Sequence, residues 1–299
     1  KGASLGEGLG NQFLANIRET DAILEVVRFF DDANIVHVDS VVEPYKDIEV
    51  INLELALSDS EQVRKRRDVL AKKLKGMEAP THKVGAPNPS DVGEDAILAK
   101  LEENFANGKL ALHAGLSGDD KKKIAYLNLL TMKPILYALN RKNGGKNLDE
   151  IKDGRAERAF EMIKSLGSSF VMVDAASEHE LNAVADEDRS SFRQEFGLHE
   201  DGIADLIRGA YETLGLISFF TTGKDETRAW TIPKGNAAPA AGAAIHTDFQ
   251  DKFIRAEVVP TDDLLVAGSW AVAREQAKVR TEGKEYIVKD GDVMVFLHG

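Results

Sequence analysis

Apolar residues recur along this chain in two rhythms, short dense runs and spaced stripes. Ile23 to Phe30 is an apolar, β-branched run bounded by Asp21 and Asp31-Asp32, and it predicts a buried strand. Lys133-Pro-Ile-Leu-Tyr-Ala-Leu-Asn140 and Ser169-Phe-Val-Met-Val173 predict two more. The stripes predict helices. Phe13, Leu14 and Ile17 share one face over 11–20, and Leu53, Leu57, Val63, Leu70 and Leu74 recur at mixed three- and four-residue steps. Residues 79–93, with three prolines and two glycines, break that second helix. A further stripe follows in Ile97, Leu98, Leu101 and Phe105, so a helical hairpin projecting from the main body is expected. Beyond the Gly144-Gly145 turn, helices are expected near 149–166, 178–196 and 202–214.

Strand alternating with helix implies an α/β unit with a parallel sheet, covered by helices on both faces. From Ile217 the texture changes to short alternating strands, one Ala-rich helix and turn signals such as Lys289-Asp-Gly-Asp, which predicts a separate α+β domain. No internal repeat is visible, and Ala237–Ala244 is the one low-complexity patch.

Composition narrows the class. With 299 residues, 43% hydrophobic and 29% charged, the chain reads as a soluble globular protein of two or three domains. No apolar run approaches the ~20 residues of a membrane span, and residues 1–20 do not read as a signal peptide. The absence of cysteine excludes disulfide and thiolate chemistry and makes a cytoplasmic location the default expectation. A net charge of −12 argues against the whole surface being a nucleic-acid footprint. The charge is uneven, however. Arg64, Lys65, Arg66 and Arg67, the run Lys72-Lys-Leu-Lys75 and the run Lys121-Lys-Lys123 are basic segments, each either a solvated helix face or a contact for RNA phosphates.

In an open parallel sheet, ligands sit at the carboxyl ends of the strands. Here those ends are Phe29-Phe30, Asn140 with Arg141, Lys142 and Asn143, and Ala175, Ala176 and Ser177. The second and third occupy the places where GTPase-type folds read a nucleotide base. Either alone is also what an ordinary turn would show. A guanine reader places a carboxylate two or three residues after the Asn, because guanine offers adjacent N1–H and N2–H donors. No carboxylate stands at 141–143, so ATP preference or weak base selectivity is expected.

Other motifs are weaker. The Gly-rich start is no Walker loop, because Gly-x-x-x-x-Gly-Lys-Ser/Thr occurs nowhere in the chain. A flexible switch-like segment beside a nucleotide site suits it better. The seven histidines show no metal-ligand spacing. His246 reads as a structural turn or core residue, Asp186-Glu-Asp188 as a solvated helix face, and Trp230 and Trp270 as core.

Several blocks together resemble the Obg-like ATPase family of the YchF type. They are Lys1-Gly-Ala-Ser-x-Gly-Glu-Gly-Leu-Gly-Asn-Gln-Phe13, Val26-Val-Arg28, Asn34-Ile-Val-His-Val38 and Asp47-Ile-Glu-Val-Ile-Asn52. To these are added Arg228-Ala-Trp-Thr-Ile-Pro-Lys-Gly, Ala241-Gly-Ala-Ala-Ile-His-Thr-Asp-Phe, Phe253-Ile-Arg-Ala-Glu-Val and the closing Glu282-Gly-Lys-Glu-Tyr-Ile-Val-Lys-Asp-Gly-Asp-Val-Met-Val-Phe. The resemblance implies a G domain over 1–43 and 133–215, a helical, coiled-coil insertion over 44–132 and a TGS domain of β-grasp type over 216–299. It also implies ATP hydrolysis with Mg²⁺ bridging the β- and γ-phosphates, and ribosome association in translation or stress.

By that resemblance Gly2, Ala3, Ser4 and Gly6 follow switch II. The Walker loop, the Mg²⁺ ligands and the hydrophobic residue in place of the usual catalytic glutamine are expected upstream of Lys1, so these residues alone are expected not to hydrolyse ATP. The family's base-reading motif ends in Glu, where this chain has Asn143. Three functions remain open: a ribosome-associated ATPase, a GTPase of the same group, and a non-enzymatic ribosome- or RNA-binding module. Nothing in the sequence addresses oligomeric state.

Overall fold

The computed structural model describes residues 8–35, 41–77, 88–195, 202–223 and 226–299. Two compact units divide the chain, Lys1–Gly209 and Ala210–Gly299. The first begins with α1 (Gly8–Arg18), β1 (Ile23–Arg28), β2 (Phe30–Asp31), the long α2 (Pro44–Met77), α3 (Pro89–Ala106) and α4 (Gly118–Ile124). It continues with β3 (Ile135–Asn140), β4 (Lys146–Asn147), α5 (Leu148–Ile151), α6 (Arg155–Ser165), β5 (Ser169–Val173), α7 (Ala175–Leu181), α8 (Asp186–Glu195) and α9 (Gly202–Leu214), which carries the boundary.

Strands β1, β3 and β5 form a parallel sheet in that order, with β3 in the middle and Arg28 opposite Asn140. A central parallel strand is covered on both faces, which is why Ile135 to Leu139 are all buried and read as one apolar run. One face packs Tyr137 and Leu139 against Ile48 and Leu55 of α2 and Ala156, Ala159 and Ile163 of α6. The other receives α9, where a Cβ on Gly209 would lie 3.0 Å from Val171 and 3.3 Å from Leu136, so only glycine permits this approach. Among the described residues, β1 pairs only with β3; Val27 is buried, while Leu24 and Val26 are 47% and 62% exposed. After Arg28 the chain leaves the sheet, and Phe30 and Asp31 pair antiparallel with β4.

The helix α2 has 34 residues and two packing partners. Its first half lies on the sheet and its second half lies along α3, where Val63 and Leu70 meet Leu98 and Leu101. The buried line runs Ile48, Asn52, Leu55, Asp59, Val63 and Leu70. Leu53 and Leu57, expected on that line, are instead 53% and 51% exposed, and Phe13 of α1 is 62% exposed. Buried polar residues account for the α2 error, because they interrupt the apolar stripe a sequence reading follows. Asp59 is fully buried and accepts from Arg18 Nη1 (2.7 Å), the amides of Leu130 (3.0 Å) and Thr131 (2.8 Å), and Thr131 Oγ1 (2.7 Å). It ties α1 and α2 to the segment that enters β3.

The expected helix over 149–166 is two, α5 and α6, because Lys152 (φ 55°) and Gly154 (φ 89°) turn left-handed between them. The helix expected over 178–196 is also two, α7 and α8.

The second unit contains β6 (Leu216–Thr222), β7 (Thr227–Pro233), α10 (Ala238–Ala243), α11 (Thr247–Asp251), β8 (Phe253–Pro260), α12 (Thr261–Ala267), α13 (Trp270–Glu275), β9 (Arg280–Glu282) and β10 (Asp292–His298). Its sheet runs β7-β6-β10-β8-β9, parallel between β6 and β10 and antiparallel elsewhere. Phe219, Ile232, Val258 and Met294 pack with Ala238 and Ala241 of the Ala-rich α10, and Trp230 joins that cluster. Val259 and Val293 pack with Ala273, Leu264 and Trp270 of the helices α12 and α13, which the sequence reading did not anticipate.

Candidate functional site

The loops at the carboxyl ends of β3 and β5 are joined by side chains. The carbonyl Oδ1 of Asn140 accepts the N–H of Ala175 at 3.0 Å, which bridges the two strand ends. Asp174 completes the link. Its Oδ1 caps α7 by accepting the Ser177 N–H at 3.0 Å, and its Oδ2 accepts the Asn143 N–H at 2.5 Å. Asn147, 5% exposed, accepts the Lys142 N–H (2.9 Å) and donates to the Lys142 carbonyl (3.1 Å), closing the loop from its far side. The turn needs glycine twice: Gly144 has φ 63°, and a Cβ on Gly145 would lie 2.9 Å from that of Lys142.

Asn140, Asn143, Ala175, Ala176 and Ser177 are therefore brought together on one rim. With Oδ1 of Asn140 held, its Nδ2 has no hydrogen-bond acceptor among the described residues and stays available as a donor. Arg141 turns away from the rim. Its Nη2 pairs with Glu150, and its Nε lies 3.4 Å from Asp149 Oδ1. Lys142 pairs with Asp32, whose carboxyl is held below its ordinary range chiefly by the Lys142 hydrogen bond. Behind the rim, Glu178 accepts two bonds from Arg193 (3.0 and 2.8 Å) and the Gly202 N–H (3.0 Å), anchoring α8 and α9 to α7.

Gly2, Ala3, Ser4 and Gly6 lie outside the described residues. The basic run on α2 divides by role. Arg66 forms a two-bond fork with Glu94 (2.7 and 2.9 Å), and Arg67 binds Asp95 (3.0 Å) and Glu102, all on α3. Those two guanidiniums fasten the hairpin, with side chains 33% and 36% exposed. Arg64 and Lys65 are exposed, with Lys65 paired only to Glu61 one turn away. His246 caps α11, its Nδ1 accepting the Asp248 N–H at 3.2 Å, and is a turn residue as expected. Among the described residues, no group of three or more His, Cys, Asp or Glu could hold a metal ion, and no helix is long and apolar enough to cross a membrane.

Comparison with known proteins places this architecture. The chain is 43% identical over 303 residues to the ribosome-binding ATPase YchF of Bacillus subtilis, covering 99% of this chain and 78% of that protein. The chain belongs to the YchF family. The ribosome-binding ATPase YchF of Escherichia coli O157:H7 is 44% identical over 301 residues, with the same coverage of 99% and 78%. Residues 216–298 match the YchF-GTPase_C family model, described as a protein of unknown function (DUF933). The solved Schizosaccharomyces pombe YchF GTPase superposes with a TM-score of 0.79 at 32% identity, over 98% of this chain and 76% of that one.

Within this YchF-family chain, sequence reasoning picked out the rim but missed Asp174 and Asn147, which hold it in shape. Asp174 had a legible signal, an Asp three residues before Ser177 at the start of a helix, the pattern of an N-cap. Asn147 had none, since its role depends on the chain returning to Lys142.

Proposed function

We propose that this YchF-family protein is a ribosome-associated nucleotide hydrolase that acts on ATP. The ribosome and the hydrolysis come from its relatives' names: ribosome-binding ATPase in Bacillus subtilis and Escherichia coli, GTPase in Schizosaccharomyces pombe. In this reading the purine base lies against Asn140, Asn143 and the 175–177 loop. The observation that carries this part is the Asn140–Ala175 bridge, which fixes an amide donor at the joined ends of two parallel strands. Arg141 acts by shaping the loop through Glu150 rather than by touching the base.

Adenine preference is supported by how the nearby carboxylates are used. Asp174 is occupied by two backbone N–H groups, Asp149 and Glu150 face Arg141, and Asp32 faces Lys142. Asp149 Oδ1 makes no hydrogen bond but is buried, so it is not presented to the paired donors of guanine. GTP hydrolysis is the second reading, favoured by the name of the Schizosaccharomyces pombe relative.

Mg²⁺ as cofactor belongs to the same proposal. The described residues offer no donor set that fits it, so their part is base binding and loop positioning. A cytoplasmic location is proposed with it. So is the division into a nucleotide-binding domain over 1–43 and 133–215, a helical insertion over 44–132 and a TGS domain over 216–299.

Sedimentation with ribosomes and phosphate release from ATP and GTP test this reading. Co-sedimentation with ATP turnover at least equal to GTP turnover is expected. Co-sedimentation without turnover of either nucleotide would leave only a ribosome-binding module.

A further inference from the structure

A pocket of about 200 Å³ lies at the opposite end of the first unit's sheet from Asn140 and Ala175. It sits beside the strands' amino ends, where the Ile23 N–H donates to the Pro134 carbonyl (3.0 Å) and Lys133 Nζ donates to the Thr20 carbonyl. Its floor is apolar: Ile124, Leu129, Met132 and Pro134. Its rim carries Lys121, Lys133, Asn128 and Asp21. The side chains of Lys121, Asn128 and Asp21 make no hydrogen bond or ion pair to other described residues. Lys121 continues into Lys122 and Lys123, all three exposed; Lys122 reaches only Asp119, at 3.7 Å, and Lys123 forms no ion pair among the described residues.

These features fit one kind of ligand. A planar base is apolar on its faces and polar along its edge, and the floor and rim supply both. Aspartate accepts from an exocyclic amino group and asparagine can pair with adenine's edge. Adjacent lysines suit consecutive phosphates, and RNA is read in its unstacked single-stranded parts. An acidic peptide fits less well, because its carboxylates bring neither an amino group for Asp21 nor a planar apolar face for the floor. We propose that this pocket binds one unstacked nucleotide of single-stranded RNA, with the base on the Met132–Pro134 floor and the flanking phosphates on Lys121 and Lys123. The choice of RNA rests on the ribosome-associated reading above; the pocket is separate from the base-binding rim.

The test is fluorescence anisotropy of the protein with a labelled single-stranded RNA decamer across a salt series. Lys121→Glu with Lys123→Glu should weaken binding at least tenfold and flatten the slope of log affinity against log salt by about 1.4, about 0.7 per phosphate. Ala125→Trp, which fills the pocket from its exposed lip, should weaken binding about tenfold and leave the slope unchanged. Lys284→Glu, in the other unit, should change neither. No RNA binding by the parent protein would overturn the proposal. So would lysine variants that bind as the parent does, or an oligoglutamate that competes as well as RNA. Failure of the parent to sediment with ribosomes would instead count against the ribosome reading, whatever the decamer does.

Discussion

Glu25 is a carboxyl group in the middle of β1, 9% exposed, with its Oε2 making no hydrogen bond. Asp47 of α2 adds a like charge. Tyr137, opposite it on β3, accepts from Asn52 at 3.4 Å, and Asn52 Oδ1 is itself buried and unpaired. Burial first, and Asp47 second, push the Glu25 carboxyl from 4.5 up to about 8. The folded value lies above the unfolded one, so the native state holds the extra proton between those limits. Stability therefore falls as pH rises from about 4.5 to about 8. Glu25→Gln should flatten that fall and, at pH 9, protect β1 and β3 amides from hydrogen exchange by up to about 5 kcal/mol more than the parent. Parallel pH profiles for the two proteins would show Glu25 ionised throughout. Asp59 is fully buried and hydrogen-bonded through both carboxyl oxygens. Asp59→Ala strands Arg18 and two amides, and should cost about 3–5 kcal/mol in the same exchange experiment. Exposed Asp68→Ala should cost less than about 0.5 kcal/mol.

Among the elements, those with one rhythm were legible and those with two partners were not. The central strand β3 is buried on both faces, and its apolar run gave it away. The helix α2 changes partner halfway, and its buried line passes through Asn52 and Asp59. No apolar periodicity could reveal that line, since tertiary partners alone make those residues tolerable inside. The same helix separates fastening charge from free charge. Arg66→Glu with Arg67→Glu should loosen α2 from α3 and lower the thermal midpoint by several degrees, so any loss of ribosome binding in that variant has a structural cause. Arg64→Glu with Lys65→Glu should leave the melt unchanged. If this face touches ribosomal RNA, that variant should also weaken co-sedimentation at low salt. Unchanged sedimentation would make the exposed pair a solvated helix face.

For the molecule as a whole, the sequence carried its α/β first part, its change of texture at Ile217 and its family resemblance. The rim formed by Asn140 and Ala175 was readable because it stands at strand ends, where a parallel sheet presents its ligands. Its rigidity was not readable. That depends on Asp174 reaching 31 residues back to Asn143, a contact that exists only once β3 and β5 are neighbours. The central claim is that this rim holds the purine of ATP, and calorimetric titration with ATP and GTP tests it most directly. Asn140→Asp is the variant of choice, because it keeps an oxygen for the Ala175 N–H and removes the amide donor. The account predicts that the parent binds ATP at least as tightly as GTP and that the variant binds ATP at least tenfold more weakly, about 1.4 kcal/mol. A tenfold preference for GTP, or an Asn140→Asp protein that binds ATP as the parent does, would contradict it.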